Sequence, residues 1–156
     1  MTDFARLMSD YFVKYLAGQK GSGSNTMKTY RDTFVQLLEF MDEKKHIRAD
    51  CIEVDSFSYD IINEFLEYLE KEKRVSISTR NNRLAAIRSF FKYTGYHEPK
   101  YLNISTSIRE ISKKKTEGRQ MNYLSVNAME HFLNSFDKTD HKELRCFCIV
   151  LLLYES

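Results

Sequence analysis

Apolar residues return every three or four positions along most of this chain. Phe4, Leu7, Tyr11, Phe12, Tyr15 and Leu16 set the rhythm and predict an amphipathic helix from about Asp3 to Ala17. Gly18 to Ser24 holds three glycines in seven residues and predicts a loop. Ser24 or Asn25 is placed to cap a second helix with the stripe Tyr30, Phe34, Leu37, Leu38 and Met41, running to about Lys44. Residues 46–57 alternate weakly and predict an extended connection. Ser58 then caps a third helix that turns Ile61, Ile62, Phe65, Leu66 and Leu69 inward and Asp60, Glu64, Glu67 and Glu70 outward. After a short turn at Arg74–Ile77, Ser78 or Thr79 is expected to cap a fourth helix, Arg80 to Tyr93, ended by Gly95. Pro99 breaks the chain, and a shorter helix is predicted from about Ser105 to Lys113. Lys113 to Arg119 has no apolar residue and predicts a linker. Ser125 caps a helix through Phe136 with Val126, Met129, Phe132 and Leu133 as its stripe. A last helix begins near Lys142 and still runs at Ser156.

Composition supports helices. With 1 Pro and 5 Gly in 156 residues, the chain lacks the turn formers of an all-β fold. No apolar run reaches the roughly 18 residues of a membrane span, and Met1-Thr2-Asp3 opens no secretory signal. Cys51, Cys146 and Cys148 are odd in number and form no CxxC, so neither a disulfide framework nor a zinc site is expected. A cytoplasmic location fits.

Charge changes the picture more. The net charge is +2, yet residues 71–119 hold 13 basic against 4 acidic residues, a local net of +9. Such a block asks for an anionic partner, and nucleic acid is the first candidate. The fourth helix says how one could be met. At 100° per residue, Leu84, Ile87 and Phe91 fall within about 40° of Arg80, whereas Asn81, Asn82, Ala85, Ala86 and Ser89 lie between about 100° and 240°. Arg83, Arg88 and Lys92 flank that small-residue face. It can enter a major groove, with cations on phosphates and the Asn81 and Asn82 amides on base edges. Ser78 and Thr79 at the helix start form a phosphate seat. An ordinary amphipathic surface helix uses the same fillers, and that reading stays open. On the second helix Ser24, Asn25, Thr26, Lys28 and Thr29 cluster at the start, off the apolar stripe, a weaker parallel that could hold phosphates, although capping alone explains Ser24 or Asn25.

Several segments resemble the tyrosine recombinase (phage integrase) family. Ser24-Asn25-Thr26-Met27-Lys28-Thr29-Tyr30-Arg31-Asp32-Thr33-Phe34 is similar to the T-x-x-x-Y second helix of that family. Ser78-Thr79-Arg80-Asn81-Asn82-Arg83-Leu84-Ala85-Ala86-Ile87-Arg88-Ser89-Phe90-Phe91-Lys92-Tyr93 is similar to its fourth. Tyr123-Leu124-Ser125-Val126 with Met129 and Phe132-Leu133, and then Ile149 to Ser156, resemble the opening of its catalytic domain. The resemblance implies an all-α fold: a four- to five-helix orthogonal bundle, the SAM-like core-binding domain, over residues 1–112. A basic linker follows at 113–121 and a truncated helical start of the catalytic domain at 122–156. It implies double-stranded DNA and other copies of the recombinase on the site as partners, with no cofactor, no metal and no small-molecule substrate. The implied DNA-binding residues are Thr26, Lys28, Thr29, Arg31, Ser78, Thr79, Arg80, Asn81, Asn82, Arg83, Arg88, Lys92, Lys113, Lys114 and Lys115.

The family cleaves DNA with a tyrosine, assisted by Arg, Lys and His residues. Its first catalytic Arg follows a Gly just past the segment that ends here at Ser156. None of the ten Tyr and none of the four His matches a catalytic position, so no catalytic residue is expected and the chain alone should be inactive. Two other readings remain: a helix-turn-helix regulator built on helices 58–73 and 79–93, and a helical module for an acidic protein partner. Because residues 145–154 are apolar nearly all round, residues 120–156 are expected to pack against another chain's tail or an exposed surface of the helical domain and not to form an independent folded unit.

Overall fold

Seven α-helices are seen in a computed structural model that describes residues 2–19, 21, 23–116 and 124–155. Strands are absent among those residues. The chain divides into two units, residues 1–116 and 117–156. The far part of the expected linker, 117–121, and the Tyr123 end of the third family segment lie outside the described residues.

In the first unit, α1 (Asp3–Asp10) is capped by the Thr2 hydroxyl, which accepts from the Ala5 N–H. Beyond Asp10 the chain continues as a π-helix, Tyr11–Gln19, where a continuous α-helix was predicted. The sequence supplies a reason. Tyr11 and Leu16 are both fully buried and stand five positions apart. Five α-helical steps would turn one of them about 140° away. The i→i+5 repeat of a π-helix keeps both inward. Tyr11 then stacks on Tyr15 with centroids 5.6 Å apart.

Helix α2 (Ser24–Lys45) starts after Gly23, not from a side-chain cap, and closes with His46 at φ 55°. The 46–57 connection is more structured than its weak alternation suggests. It folds into two single 3-10 turns, Ala49–Cys51 and Val54–Ser56, that bury Ile52, Val54 and Phe57. Ser58 caps α3 (Tyr59–Lys71) as expected, accepting from the Ile61 N–H at 3.2 Å.

Helix α4 (Ile77–His97) is longer than its sequence signals indicate at both ends. Ser76 is the cap, accepting from the Thr79 N–H at 3.2 Å, so Ser78 and Thr79 lie inside the first turn. Gly95 does not end the helix. It is buried within it, and a Cβ there would stand 2.8 Å from Ser105 Cβ and Oγ of α5 (Leu102–Glu110). Gly95 therefore serves a close helix–helix approach rather than a C-cap.

The core of this unit is aromatic. The Phe90 ring meets Phe4 at 5.5 Å, Tyr11 at 5.4 Å, Phe34 at 5.2 Å and Phe91 at 5.3 Å between centroids. Phe57 joins through Phe4 at 5.1 Å and Phe91 at 5.6 Å. The rings meet mostly edge to face, the favoured geometry for aromatic quadrupoles. Ion pairs fasten the N-terminus outside this core. Arg6 donates to Glu98 at 2.7 Å, and Asp3 accepts from Lys100 at 2.7 Å and from the Tyr101 hydroxyl at 2.9 Å. The Lys100 bond, with that of Tyr101, holds the Asp3 carboxyl below its ordinary range.

The second unit contains α6 (Val126–Asn134) and α7 (His141–Glu155). Ser125 caps α6, accepting from the Ala128 N–H at 3.2 Å. Phe136 bridges the helices, with its centroid 5.1 Å from Phe132 and 6.2 Å from Phe147. No described residue of this unit is buried, and Leu152 is 72% exposed.

Two outcomes are expected. Gly95→Ala should destabilise the first unit by about 1–3 kcal/mol through overpacking, and Ser105→Gly in the same chain should restore most of the loss, as read by urea unfolding. The 156-residue chain should self-associate with rising concentration. Leu152→Lys should lower its light-scattering mass, since a large exposed apolar surface seeks cover. An unchanged mass would exclude this part of α7 as the contact.

Candidate nucleic-acid interface

The outer arc of α4 is what its neighbours leave uncovered. Leu84, Ala86, Ile87, Phe90, Phe91, Tyr93, Thr94 and Gly95 are all buried. Ala86 thus belongs to the packed surface and not to the small open face. Asn82, Ala85, Ser89 and Lys92 remain accessible, wholly or in part.

Two shallow depressions meet along this arc. One, of about 450 Å³, is lined by Tyr15, Tyr30, Ala85, Arg88, Ser89, Lys92, Arg109 and Lys113. The other, of about 270 Å³, is lined by Asn25, Thr26, Thr29, Tyr30, Asn82 and Ala85. Tyr30 and Ala85 line both, so they form one surface across α2, α4 and the end of α5. Four cations gather in the larger depression and no carboxylate lines either. The smaller one offers hydroxyls and amides. Such a pairing suits a polyanion whose other atoms are hydrogen-bonding edges.

The surface is held by side chains that look inward. Arg83 reaches from α4 to α2, where its Nη1 donates to the Thr29 carbonyl at 2.9 Å and to Thr33 Oγ1 at 3.2 Å. Arg88 donates to the Arg109 carbonyl, tying α4 to the last turn of α5, where carbonyls lack helix partners. Arg80 is only 7% exposed in its side chain and donates through Nε to Glu70 at 3.1 Å. Glu70 also accepts from Lys114 Nζ at 2.7 Å. Lys92 stands 5.8 Å above the Tyr96 ring, a cation–π distance. Burial pushes the Tyr11 hydroxyl pKa up.

The residues singled out from the sequence are therefore divided. Thr26, Thr29, Asn82, Arg88, Lys92 and Lys113 come together on this surface. Lys28 and Arg31 do not. They line an apolar trough of about 700 Å³ with Met8, Phe12, Met27, Phe34, Val35 and Leu38. Arg80, Asn81, Arg83 and Lys114 spend their polar groups on partners within the first unit. Ser78 is exposed in the first turn of α4, the Thr79 hydroxyl meets Ser76 at 3.0 Å, and Lys115 is exposed. Sequence reasoning missed Tyr15, Tyr30 and Arg109, while Asn25, which the sequence offers as a cap or a phosphate contact, does line the smaller depression. Tyr30 was counted in the core stripe. Arg109 lay within the basic block, and its place near the end of a predicted helix was the available signal.

Among the described residues no group of His, Cys, Asp and Glu is arranged to hold a metal. No helix there is long and apolar enough to cross a membrane.

Comparison with known proteins identifies the first unit. The model for the family described as "Phage integrase, N-terminal SAM-like domain" matches residues 10–99. The "Putative integrase/recombinase y4rC" of Sinorhizobium fredii (strain NBRC 101917 / NGR234) is 26% identical over 152 residues, which are 97% of this chain and 46% of the relative. From the same strain, "Putative integrase/recombinase y4rD" is 32% identical over 111 residues, 71% of this chain and 40% of the relative. The tyrosine recombinase XerC of Staphylococcus aureus (strain USA300 / TCH1516) is 25% identical over 151 residues, 96% of this chain and 47% of the relative. The chain thus spans about half the length of the curated relatives it matches or less. No solved structure matches it.

The buried Arg80 charge gives a prediction. Glu70→Gln should destabilise the first unit by about 3 kcal/mol, because it leaves a buried guanidinium without its counter-charge. Glu67→Gln, which removes only the exposed pair with Lys71, should change stability by at most about 0.5 kcal/mol. Denaturant titration of both variants checks the contrast.

Proposed function

This chain belongs to the phage integrase family through its N-terminal SAM-like domain, and from that premise we propose that its first unit holds duplex DNA for a site-specific recombinase. The observation that carries the proposal is the surface shared by the two depressions. Cations from α4, α5 and Lys113 meet phosphates there, while Thr26, Thr29 and Asn82 face the duplex from the neutral end. The clamp through the second and fourth helices is thereby narrowed to the N-terminal half of α2 and the outer arc of α4. The strand chemistry falls to residues outside this chain, other copies of the recombinase share the DNA site, and the 156 residues alone form no covalent link to DNA.

Phosphate contacts give affinity without sequence choice, and the amide and hydroxyl groups give choice. The helix-turn-helix alternative finds less support. Such a motif reads bases with the first residues of its second helix. In α4 the long polar side chains nearest that end, Arg80 and Asn81, are both engaged internally.

Binding of random duplex DNA should fall in the range of roughly 10⁻⁴–10⁻⁶ M and weaken steeply with salt. Lys92→Ala and Arg109→Ala should each lower the log–log salt slope by about 0.9. Lys28→Ala and Arg31→Ala should leave the slope unchanged. The reverse pattern would move the interface to the apolar trough. Asn82→Ala should be silent on random duplex and weaken binding to the true site by about 1–3 kcal/mol. Fluorescence anisotropy at several salt concentrations measures all of these.

A further inference from the structure

We infer that Asn81 is a positioning residue for the chain leaving the helical unit, acting on DNA through Lys113 rather than by touching a base. The inference rests on the interface proposed above. Both ends of the Asn81 amide are engaged with one residue: Nδ2 donates to the Lys114 carbonyl at 2.8 Å, and Oδ1 accepts from the Lys114 N–H at 3.1 Å. One position earlier, Arg80 Nη1 donates to the Ser112 carbonyl at 3.1 Å. The backbone is therefore fastened to α4 on either side of Lys113. The Lys114 ammonium is taken by Glu70 at 2.7 Å, and Glu70's other oxygen is held by Arg80. Glu70, Arg80 and Asn81 thus form one clasp around residues 112–114.

Lys113 is the residue this clasp leaves available. It lines the larger depression beside Arg88, Lys92 and Arg109. Residues 112–116 form no regular secondary structure and are exposed. Without the clasp, ordering such a segment against a phosphate would oppose binding by its lost conformational freedom. With it, that entropy is lost on folding, and Lys113 reaches the anion already placed. Reading an adenine with the Asn81 amide would require breaking both bonds to Lys114 first.

The test uses the full 156-residue chain and its variants Asn81→Ala, Asn81→Asp, Lys113→Ala and Asn81→Ala/Lys113→Ala. Without DNA, the Lys114 amide should be protected from hydrogen exchange in the parent. It should exchange at least about tenfold faster in Asn81→Ala, with helix α4 still protected. Asn81→Asp keeps the acceptor and should fall between them, which also covers the case in which Asn81→Ala does not fold. With random duplex, Lys113→Ala should lower the log–log salt slope by about 0.9. Asn81→Ala should weaken binding in the parent but add nothing in the Lys113→Ala background. Equal Lys114 exchange in the parent and both Asn81 variants overturns the clasp. Additive losses in the double variant show that Asn81 acts apart from Lys113 and overturn the inference equally. If the parent binds no duplex while the exchange pattern holds, the proposed interface fails and the clasp stands.

Discussion

The edge-to-face packing of Phe90 is the contact on which the rest of the first unit depends. Its ring joins Phe4 from α1, Tyr11 from the π-helix, Phe34 from α2 and Phe91 beside it. A large aromatic side chain buried on all sides is among the strongest single contributors to a small core. It also makes α4 an axle, with the other elements placed around it. Phe57 closes the same cluster from the 3-10 segment, and Gly95 lets α5 come close at the other end. Enclosure then decides the functional face. In the middle of α4 the arc through Asn82, Ala85, Ser89 and Lys92 stays open, and it is there that the central turns of the helix can be met from outside.

This constraint explains which features were legible in the sequence. Helix existence was, because the three- and four-residue recurrence records a buried stripe directly. The Ser58 and Ser125 caps were too, since a cap is a local bond. The π-helix was not: a pattern assumed to repeat every 3.6 residues cannot show that Tyr11 and Leu16 share a face. Phe90 was passed over because a single inward stripe fits a helix at a surface, and α4 is covered on several sides. Gly95 read as a stop from local preference alone. Its actual reason, the Ser105 side chain standing 2.8 Å from where a Cβ would lie, is ten residues further along the chain.

The same limit applies to the site. The basic block marks a region where cations are dense, but a count of cations does not say where they point. Arg80 and Arg83 lie on the sides of α4 that face other elements, so their charges are used to hold α3, α2 and Ser112 in place. Lys71 and Lys100 are paired with Glu67 and Asp3. Arg88, Lys92, Arg109 and Lys113 are the cations gathered in the depression, and they come from α4, α5 and the irregular segment after α5. Their convergence needs α5 to fold back on α4, which the Gly95–Ser105 approach permits and no local pattern encodes. Lys28 and Arg31 show the converse. Their sequence neighbourhood matched Thr26 and Thr29, yet a helix separates residues a few positions apart onto different faces, and these two line the apolar trough.

The two units differ in how their stability can arise. The first buries its own apolar residues, from Phe4 to Ile111, and supplies partners for its buried Arg80. The second has capped helices and a Phe132–Phe136–Phe147 contact, but none of its described residues is buried. Caps and short helices are marginal in water without tertiary burial. The described residues of α6 and α7 thus lack the burial that stabilises short helices, whereas the first unit closes its own core. The clasp at Ser112–Lys114 fits this difference. It completes the self-sufficient part by fixing the chain as far as Lys114, so that the surface proposed to face DNA keeps its shape without help from the second unit.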